Sequence, residues 1–336
     1  MREKPVRSGF HMGGDHNRRM SNENANPAAL SGIAPLGYLG CIRVSGADAA
    51  TFLHSQLTND FTRLGPTHAR LAGFCSAKGR LQASFMAWQT SDADIILACS
   101  ADLLQATLRR LSMFVLRMKC KLSDASAQLP LFGLAGTAAD ALLQDCVAWE
   151  KRETSEGTAI RLPAAAGHSL GLWSPRNSPT SPATATPELS QEDWRWLQVQ
   201  SGVPLVEAKT VDLFVPQMIN FELIGGVDFQ KGCYPGQEVV ARSQYRGTLK
   251  RRMFLCDCED IASAGQEVYS PSDPGQPVGV VANAAARPGR NGSTMLVELK
   301  IAALQQGELH LGRLGGPALS RRPLPYVVPL LVSEGA

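Results

Sequence analysis

The chain has 336 residues, enough for two or three domains that each bury a hydrophobic core. A formal net charge of +3 with 44% hydrophobic residues indicates a globular protein and argues against a dedicated nucleic-acid-binding domain. The eight cysteines lack disulfide-like spacing, no apolar run approaches the roughly 20 residues that span a membrane, and no signal peptide is recognisable, so we expect a cytoplasmic protein with reduced thiols.

The first 30 residues are polar and are expected to form a disordered tail. Strand and helix patterns then alternate up to residue 248. Strands are predicted at 38–44, 71–75, 81–88, 95–99, 115–122 and 129–134. Helix caps are predicted at Ser45 (with Asp48) and at Ser100, and a further helix is predicted to begin at Thr137 with Asp140. The alternation predicts an α+β region built from split βαβ units.

Residues 174–187 are rich in Ser, Pro and Thr, which predicts a mobile surface loop. A helix is expected to begin after Ser190, with Asp193 as the capping partner and Leu189 packed on Trp194 as a hydrophobic staple. The helix should end near Gly202. Beyond residue 249, short strands and turns up to about residue 332 predict a C-terminal antiparallel β-barrel domain.

Residues 115–122 alternate between apolar and basic side chains, with Arg117, Lys119 and Lys121 on one face of the predicted strand. These cations suit the glutamate tail of a folate or the phosphates of RNA. The alternative, which we favour, is an edge strand whose charges prevent aggregation.

The segment 228–242 combines a thiol, a cation, glycines and a carboxylate. A tight loop up to Tyr234 and a short helix with Pro235 near its first position are predicted. Lys231 and the helix dipole should favour the thiolate of Cys233, which would then be more reactive than a free cysteine. A buried structural cysteine is the alternative. Glu238 and Arg242, four residues apart on the helix, have the order that favours an ion pair.

The octapeptide Lys231-Gly232-Cys233-Tyr234-Pro235-Gly236-Gln237-Glu238 resembles the K-G-C-Y-x-G-Q-E signature of the YgfZ family. These are folate-binding proteins similar to the glycine-cleavage T-protein, an aminomethyltransferase. The flanking segments 214–220 and 245–247 match as well, and weaker similarity runs from about residue 38 to residue 326. The resemblance implies an aminomethyltransferase-like folate-binding region at 31–248, followed by the C-terminal barrel at 249–332.

The resemblance also implies that tetrahydrofolate or a derivative is the cofactor. A pterin needs an aromatic or apolar wall and a few hydrogen-bonding groups. The family places a tryptophan at the helix that carries Trp194, and a second aromatic residue where this chain has Leu39. Tyr38 is adjacent, but a regular strand would point it to the opposite face. The expected polar contacts are Gln217, Asn220 and, as the counterpart of a pterin-binding glutamate, Glu222. The helix staple is the alternative role of Trp194.

Three functions remain open. The resemblance implies a folate-binding accessory protein that assembles or repairs iron–sulfur clusters and so supports tRNA-thiolating enzymes, with Cys233 of the motif in contact with a cluster, with sulfur or with a partner protein. The second is a folate-dependent one-carbon transferase. It is disfavoured because residues 74–82 contain no carboxylate where the T-protein has an acidic pair. The third is an RNA-interacting module that uses the basic residues at 117–121 and 251–252.

Cys256 and Cys258 form C-x-C without further ligands, so no built-in metal site is expected.

Overall fold

The computed structural model describes residues 30–90, 94–176, 187–245, 249–305 and 307–329. Residues 1–29 of the predicted tail and 177–186 of the predicted loop lie outside these ranges. The helices are α1 (Ala49–Gln56), α2 (Leu104–Ser112), α3 (Thr137–Leu143), α4 (Gln191–Gln200) and α5 (Gln237–Tyr245), and short 3-10 helices cover Ala208–Thr210, Pro216–Ile219 and Ile301–Gln305. The strands are β1 (Gly32–Pro35), β2 (Leu39–Ser45), β3 (Ala69–Cys75), β4 (Leu81–Gln89), β5 (Ile95–Ser100), β6 (Lys121–Asp124), β7 (Phe132–Ala135), β8 (Lys151–Glu153), β9 (Gly157–Ala165), β10 (His168–Pro175), β11 (Arg251–Cys258), β12 (Glu267–Tyr269), β13 (Gly279–Ala286), β14 (Ser293–Lys300), β15 (His310–Leu311) and β16 (Ser320–Arg322).

The first sheet has the order β3-β4-β5-β2-β6, and every neighbouring pair is antiparallel. Strands β5 and β6, joined by α2, therefore run parallel on either side of β2, which is the predicted split βαβ arrangement. Phe52 and Leu53 of α1 pack with Phe74 and Phe85 in the core on one face of this sheet.

The second sheet has the order β1-β7-β10-β9-β8 and carries α3, whose Leu143 packs on Leu134 and Trp173. The third sheet has the order β15-β12-β13-β14-β11-β16 and curls into a half-barrel. The largest core cluster joins residues of all three sheets to α4. The predicted aminomethyltransferase-like fold with an antiparallel C-terminal region is confirmed.

Helix α4 forms as the sequence predicts. The Ser190 hydroxyl accepts a hydrogen bond from the Asp193 backbone N–H over 3.0 Å, while Leu189 and Trp194 are both buried in the main core. The backbone of Gly202, with φ +70°, follows the last helical turn. This cap fixes the direction in which the helix presents Trp194.

Three local predictions are wrong. Helix α1 begins at Ala49, and its Asp48 carboxylate accepts the Lys119 backbone N–H instead of capping with Ser45. Ser100 stays in β5, and α2 begins at Leu104. The strand expected at 115–122 is shorter, because the chain turns at Leu116 (φ +47°) before β6 begins. A tertiary contact to Asp48 thus overrides the local alternation.

No helix among the described ranges combines the length and apolarity that crossing a membrane requires.

Candidate functional site

The motif docks onto the end of the first sheet. Gly236 has φ +80°, and a Cβ built there would lie 2.3 Å from the Ser76 carbonyl oxygen and 2.8 Å from the Cα of Gly79. Only glycine allows this left-handed backbone and this close approach. Helix α5 therefore begins at Gln237, two residues after Pro235, which is later than the sequence predicts. The β3–β4 turn, formed by residues far away in the sequence, sets the position of α5.

Lys231 ties the motif to the end of α1. Its ammonium donates hydrogen bonds to the carbonyl oxygens of His54, over 2.5 Å, and Leu57, over 2.9 Å. It also lies 4.7 Å from the ring centroid of Tyr234, within cation–π range. Burial lowers the pKa of Lys231 to about 8, although Asp60, Asp228 and Cys233 act to raise it. The sequence predicts Lys231 as a cation for Cys233; the structure shows that it also anchors the loop.

Cys233 is exposed, whereas Lys231 and Tyr234 on either side are buried. Six of the other cysteines are buried and Cys120 is half-buried. A solvent-accessible thiol on a loop held at both ends is suited to reaction with a partner or small molecule. Within the described part of the chain, Glu238 and Arg242 are exposed and form no ion pair with each other, so the predicted pair is wrong.

A cleft opens between the first sheet, the second sheet and α4. About 680 Å³ of empty space lies between its walls, a volume that includes space open to solvent. Apolar side chains from both sheets line most of it, namely Leu36, Leu71, Ala98, Leu162, Leu170 and Leu172. The cleft therefore offers mostly dispersion contacts and a few polar ones.

Aromatic and amide groups form one wall of the cleft. The indole N–H of Trp194 donates to the Tyr38 hydroxyl over 3.1 Å, and that hydroxyl donates to Gln198 Oε1 over 2.5 Å. Burial raises the pKa of Tyr38 well above its usual value, so the phenol stays protonated. The Arg195 guanidinium lies over the Tyr38 ring, with its central carbon 4.6 Å from the ring centroid. These contacts hold the Trp194 and Tyr38 rings in place.

Leu39 lines the cleft, as its predicted role requires, and Tyr38 lines it too. Tyr38 precedes the first residue of β2, so the alternation of a regular strand does not apply to it, and the expectation that it points away is wrong. Two further aromatic side chains, Phe85 and Trp149, also line the cleft, and neither was predicted. The left-handed backbone of Trp149, φ +72°, has no signature in the sequence.

Gln217, Asn220 and Glu222 do not line the cleft. Gln217 donates to the Val240 carbonyl of α5 over 2.8 Å, and Asn220 donates to the Met253 carbonyl of β11 over 2.8 Å. Glu222 forms a buried ion pair with Arg252. The three side chains that were predicted as polar folate contacts thus bond to other parts of the protein. Gln217 links its segment to α5 of the motif, and Asn220 and Glu222 link it to β11 of the third sheet.

A second open cleft borders the other side of Tyr38. Arg195, Glu207 and Lys209 line it together with Asp102. Arg195 also forms an ion pair with Glu207 over 2.6 Å. The lining of this cleft thus combines two cations and two carboxylates beside the aromatic ring.

The basic residues of the predicted edge strand are exposed and lie outside both clefts. Arg109, Arg110, Arg117, Lys119 and Lys121 share this surface with Met113, Phe114 and Leu116. In contrast, Arg251 and Arg252 form ion pairs with Glu298 and Glu222. The predicted basic surface is therefore confined to Arg117, Lys119 and Lys121, and the exposed Arg109 and Arg110 were not predicted as part of it.

Across the described ranges, no three or more His, Cys, Asp and Glu side chains come together in a way that could hold a metal ion. Cys256 and Cys258 are both buried in the core of the third sheet.

The chain is similar to known proteins in both sequence and structure. The family model of the GCVT N-terminal domain matches residues 18–162. A protein of Edwardsiella ictaluri named tRNA-modifying protein YgfZ is 32% identical over 228 residues, which cover 63% of this chain and 67% of that protein. The proteins of the same name from Colwellia psychrerythraea and Escherichia coli K12 are 29% and 28% identical over 236 residues, with 68% and 67% of this chain and 72% of each relative covered.

The crystal structure of the glycine cleavage system aminomethyltransferase T from Bartonella henselae superposes with a TM-score of 0.71. The match covers 90% of this chain and 87% of that chain at 16% identity. At this identity the likeness concerns the fold, and it agrees with the arrangement of the sheets described above.

Proposed function

Since the chain belongs to the YgfZ family, whose relatives are named tRNA-modifying proteins, we propose that it binds a folate and supports iron–sulfur enzymes, including those that thiolate tRNA. The observation that carries this proposal is the cleft whose wall contains Trp194 and Tyr38. Tetrahydrofolate, or a derivative of it, is the proposed cofactor, and it supplies one-carbon chemistry when bound.

The aromatic and apolar lining of the cleft, with its few polar groups, supports a folate as the ligand. The flat pterin would lie against Trp194, Tyr38 and Leu39, and the amide of Gln198 offers a polar contact. The glutamate tail would pass Tyr38 towards Arg195 and Lys209 in the second cleft. Gln217, Asn220 and Glu222 would act indirectly, by holding the motif segment in place.

The cofactor proposal is tested by calorimetric titration of tetrahydrofolate under reducing conditions. We expect micromolar binding that Trp194→Ala weakens at least about tenfold, as loss of an aromatic wall implies. Trp196→Ala is the matched control, because Trp196 is a buried tryptophan on the same helix that bonds Thr294 outside the cleft. Equal weakening by both variants, or no binding by the parent, would contradict the folate site.

Cys233 is the proposed reactive group of the motif because its thiol is exposed on an anchored loop. In cells that lack the protein, Cys233→Ala should fail to restore the activity of client iron–sulfur enzymes, whereas Cys120→Ala should restore it. Full restoration by Cys233→Ala would refute this role. Turnover of a tetrahydrofolate adduct by the purified protein would instead favour a one-carbon transferase.

A direct contact with tRNA is a second candidate function, favoured by the exposed basic surface at 109–121. Its five cations lie in a run that contains no carboxylate between Asp102 and Asp124, and Phe114 adds an exposed ring for base stacking. Replacing Arg117 and Lys119 by Ala should reduce both tRNA affinity and its salt dependence. Arg321→Ala, at an exposed position of β16, is the control.

A further inference from the structure

His54 lies at the end of α1 with its imidazole oriented by a buried carboxylate. Its Nδ1 is 2.8 Å from Asp60 Oδ1, and the Asp60 side chain is only 6% exposed. The backbone N–H and the hydroxyl of Thr62 donate to the same carboxylate over 2.8 and 2.6 Å. A carboxylate at Nδ1 favours the tautomer that carries its proton there, which leaves Nε2 as a proton acceptor.

The free edge of this imidazole faces the motif. A Cβ built on Gly232 would lie 3.2 Å from His54 Nε2, and that contact is the nearest one it would make. The next residue is Cys233, whose Cα is about 3.8 Å further along the chain. Among the described residues, no hydrogen-bond partner occupies Nε2 of His54, and the thiol of Cys233 is exposed rather than packed.

From this geometry we propose that His54 is the proton acceptor for Cys233 and that Asp60 is the residue that positions it. The Cys233 S–H bond breaks and an N–H bond forms at Nε2, which gives a thiolate beside an imidazolium. The thiolate then attacks an electrophilic sulfur or carbon atom of a substrate or partner, the bond from that atom to its leaving group breaks, and the imidazolium returns its proton to the leaving group. This inference rests on the proposed role of Cys233 and identifies the group that activates it.

Charged groups from every neighbouring segment act on this pair. Asp60 contacts His54 directly, and Arg63 lies 3.3 Å from the second oxygen of Asp60. Lys231 and Asp228 belong to the motif side, and Lys231 donates to the backbone of His54 itself. Arg70 donates to the Asp60 carbonyl over 3.0 Å. The cation of Lys231 stabilises the thiolate, and the anion of Asp60 stabilises the imidazolium.

The arrangement also gives Gly232 a role. A Cβ at this position would lie only 3.2 Å from Nε2, so any side chain here would crowd the imidazole nitrogen that faces the motif. Gly236, in contrast, is required by the docking of α5. The two glycines of the motif therefore serve two different purposes.

The test is the rate at which iodoacetamide alkylates Cys233, followed by mass spectrometry from pH 5 to pH 10. We expect His54→Gln to slow the reaction about tenfold at pH 7 and to shift its pH profile upward, because the thiolate loses its proton acceptor. Asp60→Asn should shift the profile in the same direction. His68→Gln, at an exposed histidine bonded to Thr67, is the control and should leave the profile unchanged.

A second measurement does not depend on variants of the buried groups. In Cys233→Ala, which alters an exposed side chain, the NMR titration of the His54 ring should move to lower pH because its anionic neighbour is gone. A parent-like alkylation profile in His54→Gln, or an unmoved His54 titration in Cys233→Ala, would overturn the inference. Neither readout involves a folate or tRNA, so failure here is distinguishable from failure of the proposed function.

Discussion

Glu222, which the family resemblance implies is a folate contact, forms a buried ion pair with Arg252. Variants of this pair can distinguish a structural role of Glu222 from a ligand-binding role. The two side chains are 4% and 3% exposed, and Arg252 also donates to the Gln217 carbonyl over 3.0 Å. Burial raises the pKa of Glu222 in spite of the neighbouring guanidinium, which shows that desolvation is the larger effect. The pair joins the segment before the motif to β11.

Arg252→Met should leave the carboxylate buried without a partner. Removing one partner of a buried pair costs about 3–5 kcal/mol of unfolding free energy. With an m-value of about 3 kcal/mol per molar, the urea midpoint should fall by about 1 to 2 M. Adding Glu222→Leu to this variant should recover most of the loss, because an apolar pair of similar volume has no charge to desolvate.

Equilibrium urea unfolding, followed by tryptophan fluorescence, gives the midpoints of the parent, the two single variants and the double variant. A midpoint for Arg252→Met within about 0.3 M of the parent, less than a third of the smallest expected shift of about 1 M, would refute the argument from burial. Tetrahydrofolate titration of the double variant then separates the two roles. Unchanged affinity means that Glu222 acts only through structure, whereas lost affinity with recovered stability would make it a ligand contact.

Gly236→Ala should lower the unfolding free energy by about 2–5 kcal/mol, because the left-handed backbone and the contact with the Ser76 oxygen both oppose a Cβ. Gly275→Ala, where a Cβ would meet nothing within 4 Å, is its control in the same denaturation assay, and equal effects of the two would contradict this explanation. Burial acts to raise the pKa of Asp60, but hydrogen bonds from Thr62 and His54 outweigh it and lower the pKa from 3.8 to about 2. The carboxylate therefore contributes up to about 2 kcal/mol of stability above pH 4, which is lost as the pH falls through 2; Asp60→Asn should remove that part of the acid dependence, and an unchanged acid transition would refute it.

Local chemistry predicts the elements whose signals lie within a few residues. The Ser190 cap and the Leu189–Trp194 staple form as predicted because each satisfies backbone groups or buries apolar surface within one helical turn. The same reasoning fails at Ser100 and at residues 115–122. At residues 115–122 the distant Asp48 carboxylate accepts the Lys119 backbone N–H, and Ser100 is held in β5 by its pairing with Leu39 of β2.

The candidate site shows the same limit. The motif marks Cys233 and Lys231 in the sequence, but nothing in the sequence shows that Lys231 reaches the backbone of α1 or that His54 faces Gly232. An amide or carboxylate that holds two elements together has the same local chemistry as one that binds a ligand. Gln217 illustrates this, since only the position of α5 reveals its partner.

The contacts of Lys231 have a consequence for the order of folding. Its two hydrogen bonds reach residues 177 and 174 positions earlier in the chain. Such distant pairings form late, because the entropy of closing a long loop must be overcome before they add stability. During synthesis on the ribosome, α1 and the β3–β4 hairpin emerge well before the motif. The surface on which the motif docks therefore stays exposed until the motif has been made. The loop that carries Cys233 therefore becomes organised only after synthesis has passed the motif.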